Sequence, residues 1–277
     1  MTFTERDFTK KDKALIGKWG ARLEHLGHLH RYISLRDDER FGWFENVVLG
    51  SKLHFSSFKG FNDPFDGAVQ LTYDGTEQEI RRFWAEHLDE IGQPLDAGMQ
   101  AKIDWFVAGA NEPKVHEALR AEHAKEVAKR GVLCMSEPPD HFPMWGYYAD
   151  SHRGVCLRFH VWGLLGWKDC FPPIRMNYEN EYPVVSFYRD SRFRRGQVTI
   201  ATKAKVWKHE AEWRMISDAL GYVSFPPEAL AAVIMGSGID PAVEKRVREV
   251  VSKRTPRIEL LKAHLGDRKY RLDTLPA

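Results

Sequence analysis

The chain has 277 residues, of which 43% are hydrophobic and 29% charged, with a formal net charge of +2. That composition supports a sizeable core in one large domain or two small ones and excludes disorder. So small a net charge excludes bulk electrostatics as a basis for nucleic-acid binding, which would need a local patch.

The opening MTFTERDFTKKDK is charged and lacks an apolar core, unlike a secretory signal. The three cysteines, Cys134, Cys156 and Cys170, form no CxxC pair, which argues against a disulfide framework or a zinc ribbon. No apolar run approaches the roughly 20 residues a membrane helix needs. A reducing, cytoplasmic location is therefore expected.

Residues 1–27 read as a polar lead-in with a short helix near Lys11–Trp19. His28–Ser34 alternates as a strand, and Phe41, Phe44, Val47 and Val48 give Asp38–Gly50 a helical stripe. Lys52–Ser56 is a second strand, and Phe58–Asp66 (FKGFNDPFD) is a loop. Glu77–Glu90 and Leu95–Lys129 are helical, broken near Gly92–Pro94 and Glu112–Pro113. Gly131–Ser136 follows as a strand, Pro143–Asp150 as a short helix, then strands at Gly154–His160 and Ile174–Tyr178. Near the end, Ala231–Met235 is a strand, Asp240 and Pro241 open a helix to Lys253, and strands follow at Arg257–His264 and Tyr270–Asp273. These elements predict an α+β fold over residues 28–273. Its parts are a central mixed, strongly bent sheet, a helical insertion over about residues 77–130, and a C-terminal strand–helix–strand unit.

Several polar groups have two readings each. Arg189, Arg192, Arg194, Arg195, Lys203, Lys205 and Lys208 form either a solvated basic face or a phosphate-facing patch that could take nucleic acid. Asn62-Asp63-Pro64 is a turn whose side chains bond backbone amides, or a pocket edge. Asp150 and His152 end a helix, or pair to orient an imidazole. His25, His28 and His30 have no spacing that by itself makes a zinc site, and no metal is expected. Along Ala211–Met215 a helix would make Glu210 and Arg214 an i,i+4 ion pair. A strand would put Glu210, Glu212 and Arg214 on one face, and the alternation around Trp213 favours it.

Four segments carry a resemblance. FNDPFD (Phe61–Asp66), CMSE with MWGYYADSHRGVCLRF (Cys134–Glu137 and Met144–Phe159), WKHEAEWR (Trp207–Arg214) and the closing VIMG, IELLKAHL and YRL resemble, in order and spacing, the bacterial Domain of Unknown Function 2971 family. The likeness spans roughly residues 28–273 and brings no established activity. A shorter resemblance is to the ADP-ribosyltransferases, whose Arg–Ser–Glu order is matched by Arg31, Ser136 and the pair Glu210 and Glu212. This second likeness implies a cleft that cleaves NAD. Arg31 would hold the pyrophosphate, and Ser136 would position the ribose or the carboxylate. Glu212 would stabilise an oxocarbenium-like transition state, and Glu210 would activate an acceptor. Tyr32, Trp145, Tyr147 and Tyr148 are the rings available to stack on nicotinamide, and His152 is a further cofactor-side candidate. The acceptor stays open, with bacterial defence or a toxin system as a setting. The alternatives are a metal-dependent nuclease or phosphodiesterase, using Asp63, Asp66, Glu137, Asp150, Glu210 and Glu212, and a non-enzymatic binding or regulatory module.

Overall fold

A computed structural model describes residues 10–277 apart from Ile91 and Asn111; the expected lead-in over residues 1–9 lies outside the described residues. In chain order the first half comprises α1 (Lys10–Leu26), β1 (His28–Ile33), α2 (Asp38–Val48), β2 (Lys52–Phe55), β3 (Gln70–Thr72), α3 (Glu77–Glu90), α4 (Ala97–Ala108), α5 (Pro113–Ala128) and β4 (Gly131–Ser136). Then come α6 (Phe142–Tyr148), β5 (Val155–His160), α7 (Val161–Leu165), β6 (Cys170–Arg175), β7 (Asn177–Glu179), β8 (Val184–Ser186), α8 (Arg192–Ile200) and β9 (Thr202–Ala204). The chain closes with β10 (Glu212–Ser217), β11 (Gly221–Ser224), β12 (Leu230–Met235), α9 (Pro241–Ser252), β13 (Glu259–Leu265) and β14 (Leu272–Pro276).

Local chemistry explains most boundaries. Asp37, Asp96 and Asp240 each accept a hydrogen bond from a first-turn backbone N–H of α2, α4 and α9, satisfying donors that a helix start leaves open. Pro113 and Pro241 occupy first-turn positions, where the missing N–H costs nothing. Gly27 takes φ +69° and stops α1.

Eight strands form one mixed sheet in the order β14-β13-β12-β5-β1-β4-β10-β6. Only β12 and β13 run parallel, bridged by α9, which is the expected strand–helix–strand unit. The expected helical insertion is α3, α4 and α5. Ile80, Val115 and Leu119 from it pack with Tyr73, Phe187 and Tyr188 in a cluster separate from the main core. β1 and β4 share one paired position, His30 with Ser136, whereas β1 and β5 pair along six. The sheet thus has a well-paired half on each side of a narrow join.

The lead-in helix is longer than expected, and a helix forms inside the basic stretch. Ile174–Tyr178 divides into β6 and β7, which pair with different partners. The three-residue strands β3, β7, β8 and β9 pair in parallel across long separations and are too short to show a period.

The turn from α6 into β5 is tight. Asp150, Ser151 and His152 all take left-handed φ values, +49°, +52° and +68°, uncommon for residues with a side chain. Gly236 then approaches so closely that a Cβ there would lie 2.0 Å from the His152 carbonyl oxygen. Gly236→Ala is therefore expected to cost about 3 kcal/mol, the upper end of ordinary overpacking, read as a lower urea midpoint. An unchanged midpoint would mean that the turn yields.

Candidate functional site

The centre of the molecule is a chain of buried charges. Glu212 opens β10 opposite Ser136, and Arg214 lies opposite Cys134. The Arg214 guanidinium, 0% exposed, donates two 2.7 Å bonds to the Asp66 carboxylate, one of 2.7 Å to Glu212 Oε1 and one of 2.6 Å to the Ile200 carbonyl. Phe58 and Phe61 lie over it, with ring centres 5.6 and 5.1 Å away. Lys203 Nζ contacts Glu210 Oε2 at 2.5 Å and Glu212 Oε2 at 3.2 Å. Tyr148 donates its hydroxyl to Glu210 Oε1 at 2.7 Å. Ser136 Oγ donates to the Glu210 carbonyl at 2.7 Å, and the Glu212 N–H donates to the Tyr178 hydroxyl at 2.8 Å.

Electrostatics keep Glu212, Lys203 and Arg214 charged. Burial alone would raise the Glu212 pKa, but Arg214 and Lys203 outweigh it and hold the carboxyl at about 2. Burial disfavours the charged Lys203 and Arg214, yet their carboxylates raise both above the usual values. Burial pushes the Tyr148 hydroxyl up, and its bond to Glu210 adds to that, so it stays a donor.

Beside this network a cleft of about 470 Å³ opens. β1 contributes Arg31 and Tyr32, α6 contributes Tyr148, α2 contributes Glu39, Arg40 and Trp43, β2 contributes His54, and β11 contributes Tyr222. Arg31 NH1 donates to the Cys134 carbonyl at 2.7 Å, crossing the join where β1 and β4 share a single pair. Burial lowers the Arg31 pKa, with Cys134 and Glu212 offsetting it only in part. No carboxylate lies within ion-pair distance of Arg31 among the described residues, and guanidinium keeps its proton. Arg40 sits 5.1 Å over the Trp43 ring and pairs with Asp37 at 3.4 Å.

The residues chosen from sequence therefore separate. Arg31, Tyr32 and Tyr148 meet in the cleft. Glu210 stands behind Tyr148, on the turn Lys205–Glu210 rather than on the strand, because Ala211 takes φ +44° and breaks the alternation. Glu212 needs correction as a free catalytic acid: both its oxygens are held by Arg214 and Lys203. Ser136, 1% exposed, is committed to a main-chain carbonyl. Trp145 is fully buried, donates to the Pro139 carbonyl and packs edge-on against Tyr32, so it is a core residue and cannot stack on a ligand. His152 stacks on Trp145 at 6.0 Å and does not line the cleft. Asp150 pairs with Arg153, not His152.

The basic stretch divides between the interior and the solvent. Arg189 pairs with Asp74 and Glu79, Arg195 is buried against the carbonyls of Phe187 and Asp190, and Lys203 belongs to the network. Arg194, Lys205 and Lys208 face solvent, and the Arg192 side chain lies outside the description. Among the described residues no three His, Cys, Asp or Glu side chains are grouped to hold a metal ion, and no helix is long and apolar enough to cross a membrane. Sequence reasoning missed Lys203 and Asp66 as network members, and Arg40, Trp43, His54 and Tyr222 as cleft residues. Only α2 offered a signal, since Arg40 directly precedes the stripe position Phe41 and Trp43 directly precedes Phe44, off the buried stripe.

No family model, curated protein or solved structure matches this chain.

Removing one member of a buried ion pair leaves the other uncompensated, at about 3–5 kcal/mol. Glu212→Gln is expected to lose stability of that order at pH 7. The folded pKa of Glu212 lies below its ordinary 4.5, so its contribution is complete above pH 4.5 and is lost as pH falls toward 2. Denaturant titrations across that range should slope less steeply for the variant than for the parent protein. Parallel curves would show that Glu212 is not held as an anion.

Proposed function

We propose that the protein binds an anionic nucleotide in the Arg31 cleft, and that the ligand is NAD, cleaved at the nicotinamide–ribose bond as in ADP-ribosyl transfer: nicotinamide leaves, and water or an acceptor nucleophile bonds to the anomeric carbon and gives up its proton. The observation that carries the reading is Arg31: a cation on a cleft, held by one main-chain carbonyl and with no carboxylate within ion-pair distance among the described residues. Buried charges are normally paired, and a phosphate would complete this one with bidentate hydrogen bonds. Trp43, 40% exposed, and Tyr222, 43% exposed, stand on the same cleft and offer faces for a base or a nicotinamide ring. Arg40 and His54 add further donors.

The carboxylate role passes from Glu212 to Glu210. Glu212 is saturated by two permanent cations, whereas Glu210 gives one oxygen to a neutral hydroxyl that lines the cleft. Tyr148, donating to that carboxylate, presents an electron-rich oxygen toward a bound ribose, and such an oxygen stabilises positive charge developing at the anomeric carbon. Binding without cleavage is the second reading, favoured by the fact that both carboxylates are already partnered.

Calorimetric titration with NAD, together with release of nicotinamide, tests the proposal. Arg31→Ala is expected to weaken NAD binding at least tenfold with unchanged circular dichroism. Tyr148→Phe is expected to abolish nicotinamide release while leaving binding within a few-fold; Glu210→Gln, which also removes a buried partner of Lys203 and lowers stability, is expected to abolish release at temperatures where circular dichroism shows it folded. Binding with no release in the parent protein would leave the binding module. No binding of NAD, ADP or AMP would end the nucleotide reading.

A further inference from the structure

A second cleft, of about 450 Å³, shares no lining residue with the first. Its floor is Thr202, Lys203 and Ala204 of β9. Its walls are Phe65, from the loop after β2, and the segment 179–183 between β7 and β8. The nucleotide reading leaves the open side of this cleft unused.

The lining has an unusual balance. Phe65 is 59% exposed and Tyr182 is 53% exposed, and neither ring stacks on another aromatic ring among the described residues. Glu179 and Glu181 are exposed and form no ion pair among the described residues. The cleft's one cationic residue, Lys203, has its side chain only 5% exposed and its ammonium turned into Glu210 and Glu212. Its charge is therefore already spent. Two uncompensated carboxylates beside two open ring faces repel anions and attract cations. Aromatic faces favour a cation whose hydration is weak, and carboxylates strengthen hydrogen bonds to guanidinium and ammonium groups. An alkyl stem ending in such a group would lay its methylenes against the rings and its head between the acids.

We propose that this cleft is a binding site for an organic cation, a guanidinium or ammonium group on an aliphatic chain. A bare divalent ion fits less well, because the rings supply no metal ligands and no group of three ligating side chains is present among the described residues.

The probe is agmatine, titrated into the full chain at low ionic strength by calorimetry, with butylurea as an uncharged control. Agmatine is expected to bind and butylurea to fail. Glu179→Gln combined with Glu181→Gln is expected to weaken agmatine at least tenfold, and Phe65→Ala combined with Tyr182→Ala to do the same. All four side chains are exposed, so both variants should fold, which circular dichroism checks. Absence of agmatine binding at millimolar concentration, equal binding of butylurea, or unchanged affinity in both double variants would overturn the proposal.

Discussion

A fully buried guanidinium is the constraint around which the rest is arranged. Arg214 lies on β10, one strand in from the sheet edge, with 0% exposure, and a charge taken that far from water is tolerated only where opposite charge and hydrogen-bond acceptors surround it. Asp66 and Glu212 supply the charge, the Ile200 carbonyl a further acceptor, and Phe58 and Phe61 exclude water. Because Glu212 then faces a second cation, Lys203, the network extends to Glu210 and on to Tyr148. Each step satisfies a group that the previous step left open. The loop 58–66, β9, the turn 205–210 and the end of α6 are fixed in relation to one another by that chain of needs.

This gives the sequence motifs a shared physical reason. FNDPFD contributes Phe61 over Arg214 and Asp66 beneath it. CMSE contributes Ser136, which holds the Glu210 carbonyl, and Glu137, which accepts from the Trp213 indole at 3.0 Å and from Arg22 at 2.9 Å. MWGYYAD contributes Tyr148, and WKHEAEWR contributes both glutamates and the arginine. Segments more than a hundred residues apart in sequence meet in one network, and much of their content serves its closure.

The long helices were legible because periodicity and caps act within one segment: Asp240 with Pro241, or the stripe through Phe41, Phe44 and Val48, needs no distant partner. The four short paired strands were not, because three residues carry no period and their pairing is decided by residues far away. The site was half legible for the same reason. A carboxylate on a strand beside a tryptophan reads alike whether it faces a hollow or an internal cation. Lys203 is nine residues from Glu212 and Asp66 is 148 from Arg214, and nothing local marks either as its partner. Arg31 was found through its place in the Arg–Ser–Glu order, and nothing local marked it as a cleft residue. Its cleft neighbours on α2 and β11 come from surfaces that sequence treats as ordinary solvent-facing positions.

The contrast between the two glutamates decides which one chemistry can use. For Glu212 to turn toward a ligand, Arg214 and Lys203 would each lose a buried anion, a change that costs as much as breaking a buried ion pair. For Glu210, one oxygen stays with Lys203 while the other is shared with a phenol. A hydroxyl that exchanges a carboxylate for a ligand oxygen trades one hydrogen bond for another, near 1 kcal/mol in net terms. The rigid half of the network thus leaves one adjustable contact, Tyr148 to Glu210, and it lies on the wall of the cleft that holds Arg31.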